Sequence, residues 1–298
     1  MSWLNSSSKI KYPEMLKISN NTLCLLLCAF LCQSCNKQTI TQSTPEKPEW
    51  EIAGWELVWH DEFDGAKIDL TKWEHEVNAQ GGGNNELQYY TARSENSYVK
   101  DGVLTIQALK ETFTGAEGTR EYTSARMRTL KKGDWKYGRF DIKARLPRGQ
   151  GLWPAIWMLP TDWVYGGWAA SGEIDIMEML GHDTKTVYGT LHYGGEWPNN
   201  VHTGTSYKLP QGDFSTEFHV FRLDWEPNEF RWYVDDRLYQ TQKQWHTKNH
   251  PYPAPFDQRF HLLLNVAVGG NWPGNPDATT IFPQSMMVDY VRVYKRSE

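Results

Sequence analysis

Beyond residue 50, no stretch of this 298-residue chain holds an apolar period of 3.6 residues, so helices cannot carry its core. Runs that alternate polar with apolar residues, or that are rich in β-branched and aromatic ones, take their place. They are Leu57–Phe63, Val103–Leu109, Tyr122–Leu130, Tyr137–Leu146, Trp153–Leu159, Glu173–Met179, Thr186–Tyr193, His219–Trp225, Phe230–Val234, Phe260–Val268 and Met287–Tyr294. Turn signals such as Asp101-Gly102, Pro147-Arg148-Gly149 and Asp235-Asp236 separate them. Many short strands without intervening helices predict an all-β sandwich or barrel. No internal repeat or second composition regime interrupts them. A single domain over residues 51–298 is therefore expected, large enough to bury a core without disulfide staples.

The first 35 residues read as an address. All four cysteines (Cys24, Cys28, Cys32 and Cys35) lie around the apolar run Leu23–Leu31, which Lys17 precedes and Ser34-Cys35 follows. A basic start, an apolar stretch shorter than a membrane span and a small residue at the cut predict an export signal, with Met1 or Met15 as its start. Ser34-Cys35 resembles a bacterial lipobox. Residues 1–35 are thus expected to be a lipoprotein-type signal with Cys35 acylated, which places the protein in the bacterial outer membrane, facing the periplasm or the cell surface. A plain secretory signal or a C-x-x-C redox pair are the alternatives, and the redox pair lacks a βαβ context. Residues 36–50, polar with two prolines, predict a flexible tether.

The leader carries Lys9, Lys11, Lys17 and Glu14, a net +2, so its removal takes the chain from −5 to −7. An acidic chain has no footprint for nucleic acid. It holds 15 tryptophans, more than a core needs, so some of them are expected on a surface that stacks against flat ligands.

The chemistry is concentrated in Ser171-Gly-Glu173-Ile-Asp175-Ile-Met-Glu178. Strand side chains alternate, so Glu173 and Asp175 share a face with Ile174 and Ile176 behind them. Glu178 is out of phase by one residue. A β-bulge near Ile176-Met177 would return it to the acidic face. Three like charges in a row are poor for folding, and one pKa should be driven upward. Retaining glycoside hydrolysis needs such a pair, one carboxyl ionised and one protonated, about 5–5.5 Å apart. A solvated edge strand with salt-bridged acids would show the same spacing. Trp153 and Trp157 alternate onto one face of a neighbouring run, with Trp168 and Trp272 close to the acids or to a glycine turn. Indoles of this kind pack cores or stack on sugar rings.

Glu173-Ile-Asp-Ile-Met-Glu178 resembles the bulged active-site signature of glycoside hydrolase family 16, in its laminarinase-like branch of endo-β-1,3-glucanases. The resemblance extends over His60-Asp-Glu-Phe-Asp64, Asn84–Thr91, Gly151–Pro160, Thr190–Tyr193, Phe218–Trp225, Leu264–Pro273 and Val288–Tyr294. It implies a concanavalin-like β-jelly-roll of two antiparallel sheets with a concave cleft, a monomer, and hydrolysis of laminarin-type β-1,3-glucan with retention of configuration. Mixed β-1,3/1,4-glucan is a further implied substrate. It implies Glu173 as nucleophile, Glu178 as acid/base and Asp175 as the assisting carboxylate, with no cofactor for catalysis. Asn85, Arg126, Trp153, Trp157, Trp168, His192, Asn265 and Trp272 become substrate contacts by position. Arg126 has a structural ion pair as its alternative, and His192 a satisfied core histidine. A structural calcium is implied at Glu62, the Gly102 carbonyl and Asp289, with turn-capping acids as the alternative. Two other readings stay open: a non-catalytic β-glucan-binding lipoprotein, and a galactanase of the agarase or carrageenase kind. The segment Gly81–Asn85 reads as a glycine-rich rim of the cleft.

Overall fold

Alternation along the strands becomes two faces in space. The computed structural model describes residues 50–297, so the expected leader, the expected lipidation site Cys35 and all of the expected tether but Trp50 lie outside the described residues. In chain order the strands are β1 (Trp55–Asp61), β2 (Glu74–Glu76), β3 (Gln88–Tyr90), β4 (Ser97–Lys100), β5 (Val103–Gly115), β6 (Gly118–Ser124), β7 (Arg126–Arg128), β8 (Asp134–Trp135) and β9 (Gly138–Arg145). They continue as β10 (Leu152–Pro160), β11 (Glu173–Met179), β12 (Thr186–Tyr193), β13 (Val201–Lys208), β14 (His219–Glu226), β15 (Glu229–Val234), β16 (Arg237–Gln242), β17 (Phe260–Val268) and β18 (Gln284–Arg296).

One sheet runs β16-β15-β14-β9-β18-β5-β6-β3, with β1 on β18 and β4 on β5. The other runs β13-β12-β11-β10-β17-β7-β2, with β8 on β17. This is the two-sheet jelly-roll expected from the sequence. Among the strands above, one pairing departs from the antiparallel pattern: β3 lies parallel to β6.

The core lies between the sheets. Ile174, Met177, Leu191 and Leu264 from the second sheet are buried in the same cluster as Ile142, Phe221, Leu223 and Val291 from the first. Each such side chain contributes about 1.5–3 kcal/mol on leaving water. Within that core Trp225, Phe230 and Trp232 stack in series, with centroids 5.7 and 5.6 Å apart. The central strand β17 is buried along its whole length, which explains a sequence that is apolar but for His261 and Asn265.

The run Tyr122–Leu130 is not one strand. It divides at Ala125, where the chain leaves the first sheet as β6 and enters the second as β7. β13 and β16 carry no strand signal in the sequence. They are the outermost strands of their sheets, and β13 is exposed along nearly all its length. With water on most sides, neither needs apolar alternation.

Candidate active site

The acidic strand is shaped by one inserted residue. Against β10, Trp157 pairs with Asp175 and Ile156 with Met177, so Ile176 is the extra residue. Against β12, Asp175 pairs with Thr190 and Glu178 with Tyr188, with the same break between them. Ile176 and Met177 are therefore both in the core, and Glu178 returns to the face of Glu173 and Asp175. The carbonyl of Asp175, where the ladder breaks, accepts a hydrogen bond from Trp232 Nε1 at 2.9 Å. Trp232 reaches it from the opposite sheet through the space over Gly189, where a Cβ would lie 2.6 Å from the indole.

Each glutamate of the acidic face is held by a different tryptophan. Trp168 Nε1 donates to Glu173 Oε2 at 2.7 Å, and Trp153 Nε1 donates to Glu178 Oε1 at 2.9 Å. His192 Nε2 lies 3.2 Å from Asp175 Oδ2 and 3.8 Å from Glu173 Oε1. The Asp175 contact is an ion pair. His192 is thus not a core histidine.

Burial, and then the charge of Asp175, push the Glu173 carboxyl up to about 7, while His192 and the Trp168 N–H restrain the rise. Glu178 is pushed well above the carboxylate range by burial and by the charges of both Asp175 and Glu173. Glu178 has two like charges acting on it, so it holds its proton in preference to Glu173. Burial opposes the charge on His192, but contact with Asp175 and the three carboxylates outweighs it and raises the imidazole to about 9. Ligand atoms of Glu173, Asp175 and His192 lie within 4.8 Å of one another, a spacing a metal can share. At neutral pH the proton on His192 occupies the lone pair a metal would need.

Aromatic rings line both ends of the acidic row. Trp168 tilts against His192 at 5.7 Å and against Trp197 at 6.5 Å. Trp272 packs edge-on to Trp153 at 5.4 Å and to Tyr188 at 5.0 Å. Asn85 donates to Asn271 Oδ1 at 2.9 Å, which ties the glycine-rich rim to the loop carrying Trp272.

Arg126 and Asn265 sit in a deeper layer. Trp157 Nε1 donates to Asn265 Oδ1 at 2.7 Å, and Asn265 donates to Tyr90. Buried Arg126 lies 3.4 Å from Glu76 and 3.7 Å from Glu86, with Tyr90 and Trp157 against its guanidinium. Its geometry is that of the structural ion pair, and together the two residues hold Trp157 in place. Tyr188, Trp197, Glu76 and Glu86 escaped the sequence reading. The alternation of Tyr188 with His192 on β12 was the one signal that pointed to any of them.

Glu62, Gly102 and Asp289 gather where β1 and β5 follow each other along one edge of β18, between the pairs Asp61–Val291 and Leu104–Val288. Arg292 donates to both Glu62 carboxylate oxygens, and Lys143 lies 2.8 Å from Asp289.

Two part-buried carboxyls of unequal proton affinity on a tryptophan-lined sheet are the arrangement of a glycoside hydrolase. The chain belongs to glycosyl hydrolases family 16, whose model matches residues 83–292. It is 44% identical over 279 residues to the glucan endo-1,3-beta-glucosidase A1 of Niallia circulans, covering 87% of this chain but only 40% of that protein's length. It is 47% identical over 259 residues to the beta-glucanase of Rhodothermus marinus, covering 81% of this chain and 85% of that one. The laminarinase catalytic domain of Thermotoga maritima superposes with a TM-score of 0.74 at 46% identity, covering 82% of this chain and 99% of that domain.

Proposed function

We propose that this protein is a retaining endo-hydrolase of β-1,3-glucan of the laminarin type that also accepts mixed β-1,3/1,4-linkages. The observation that carries the reading is the bulge that sets Glu173, Asp175 and Glu178 on one face, with the two glutamates unequally protonated. The names of the relatives above support the choice of glucan. Ionised Glu173 attacks the anomeric carbon while Glu178 gives its proton to the departing glycosidic oxygen. The ester so formed on Glu173 is hydrolysed by a water that Glu178, now ionised, deprotonates. Trp168 holds Glu173 in position, and His192, paired with Asp175, lies beside it. Incubation with laminarin, followed by reducing ends and by the anomer first released, tests the reading. Binding without release would return the protein to the glucan-binding class, and turnover of agarose or carrageenan alone to the galactanases.

The rate should follow a bell in pH. Its acid limb rises as Glu173 ionises near 7, and its alkaline limb falls as Glu178 loses its proton. Asp175→Asn removes a like charge beside both, so both limbs should move to lower pH by roughly one pH unit. A profile of kcat/KM that keeps both limbs in place would refute the coupling.

We also propose a structural calcium on Glu62, the Gly102 carbonyl and Asp289. The three positions belong to separate segments and offer oxygen donors, as calcium prefers, and the ion would replace Arg292 and Lys143 as the neutralising charge. Chelation should then lower Tm by ~5–10 °C, reversed by calcium and not by magnesium. An unchanged Tm would dismiss the site. Export as a lipoprotein through Cys35 is the accompanying proposal. Loss of fatty-acid labelling in Cys35→Ala is its test, and labelling that persists would exclude it.

A further inference from the structure

Trp197 is 73% exposed, and no other described tryptophan exceeds 41%. It lies on the loop of residues 194–200 that joins β12 to β13. That loop starts directly after the His192–Glu173 pair, so it stands at the Glu173 end of the acidic row. An indole left in water gains none of the burial that repays its size. Single apolar residues on a surface are ordinary, but this one continues a series of rings. Trp197 is 6.5 Å from Trp168, Trp168 is 5.7 Å from His192, and His192 is 5.5 Å from His202 across the β12–β13 pair.

The loop is tied down on both sides. Trp197 N donates to the Trp168 carbonyl at 3.0 Å, and Ala169 N donates to the Gly195 carbonyl at 3.2 Å. Gly167 N donates to Glu196 Oε1 at 2.6 Å. A Cβ on Gly166 would lie 2.8 Å from that oxygen, so the absence of a side chain there lets the two loops approach. On the other side Lys248 N donates to the Gly194 carbonyl at 2.8 Å. Trp197 is therefore fixed relative to Trp168, whose indole holds Glu173. A ring already in place costs little ordering when a ligand lands on it.

The planes of the two indoles are inclined by 37°. Such rings stack against flat, C–H-rich faces, which a glucose ring offers. Sugars seated on both must turn relative to each other. The rings of a β-1,3-linked chain turn in one sense at every linkage, whereas a β-1,4-linked chain is a flat ribbon. Trp168 touches the carboxylate that attacks the anomeric carbon, so it serves a sugar at the scissile bond and Trp197 a sugar further along.

We propose that Trp197 is the platform of a further glucose subsite, which seats the β-1,3-glucan chain beyond the sugars that share the scissile bond, on the β12–β13 side of the cleft. It rests on the β-1,3-glucan reading above. The stacked sugar is not the reacting one, so the contact is equal in the ground state and in the transition state.

Initial rates on laminarin test it. Trp197→Ala should raise KM about tenfold and leave kcat unchanged, the signature of lost uniform binding. The acid limb of the pH profile should stay where Glu173 sets it, and Tm should not move, because the indole is exposed. Trp197→Tyr keeps a flat ring and should bring KM back to within about twofold of the parent. An unchanged KM in Trp197→Ala would overturn the proposal. A fall in kcat with a displaced acid limb would overturn it too, because Trp197 would then act through Trp168 on Glu173. So would a KM that Trp197→Tyr does not restore, which would place the effect in the loop and not in the ring. A parent that releases no reducing ends from laminarin refutes the β-1,3-glucan reading itself, and this proposal with it.

Discussion

Glu173→Gln and Glu178→Gln should each lower laminarin turnover by about a thousandfold or more, and they should differ in how they fail. The amide is isosteric and keeps an oxygen for the indole N–H that holds each side chain, Trp168 for Glu173 and Trp153 for Glu178. Glu178→Gln removes only the proton donor. A glucoside with an acidic phenol as leaving group needs little protonation, so its first step should be nearly spared. Glu173→Gln removes the atom that forms the ester and should be inactive on both substrates. Initial rates on laminarin and on the aryl glucoside decide it, and near-native laminarin turnover by either variant would be fatal to the role assignment.

The same variants should be more stable than the parent at alkaline pH. The folded pKa of Glu173, about 7, lies above its ordinary value of 4.5. Its contribution to stability is therefore full below 4.5 and is lost as pH rises through 7. A neutral amide does not lose it. Glu173→Gln should gain up to about 3 kcal/mol over the parent at pH 8, an advantage that fades towards pH 4. Denaturant melts at the two pH values check the sign.

Trp232 is the second site of large effect. Its indole is wholly buried and stacks on Phe230. Trp232→Ala should cost about 3–5 kcal/mol through the cavity it leaves. Trp232→Phe keeps most of the packing but takes away the N–H that meets the Asp175 carbonyl. An unmet buried carbonyl costs about 1–3 kcal/mol, and here it lies within the bulge that aims Glu178. Trp232→Phe should therefore lower kcat more than its loss of stability explains, with KM little changed. Gly189→Ala should act likewise, because its methyl would occupy the path of the indole. If Trp232→Phe lost stability but kept full kcat, the bulge would be held by its own ladder alone.

The bulge itself was legible in the sequence. Glu178 stands an odd number of residues from Asp175, and only an inserted residue reconciles one acidic face with an apolar back. The all-β sandwich or barrel was legible for a related reason, since strands that bury one face must alternate and strands buried on both faces, such as β17, must be largely apolar; the jelly-roll was implied by the family resemblance. β13 and β16 were not, because an edge strand in water carries no such pattern. Their existence depends on the neighbour that supplies the hydrogen bonds.

The order of residues in β11 determined which acids work together, because strand periodicity is a local property of the backbone. Which partner tunes each acid was decided only by tertiary structure. Trp153 lies 25 residues before Glu178, Trp232 lies 57 residues after Asp175, and Arg126 packs against Trp157. Proton affinity and side-chain aim depend on burial and on charges within a few ångströms, and the pairing of the sheets alone brings those residues within reach.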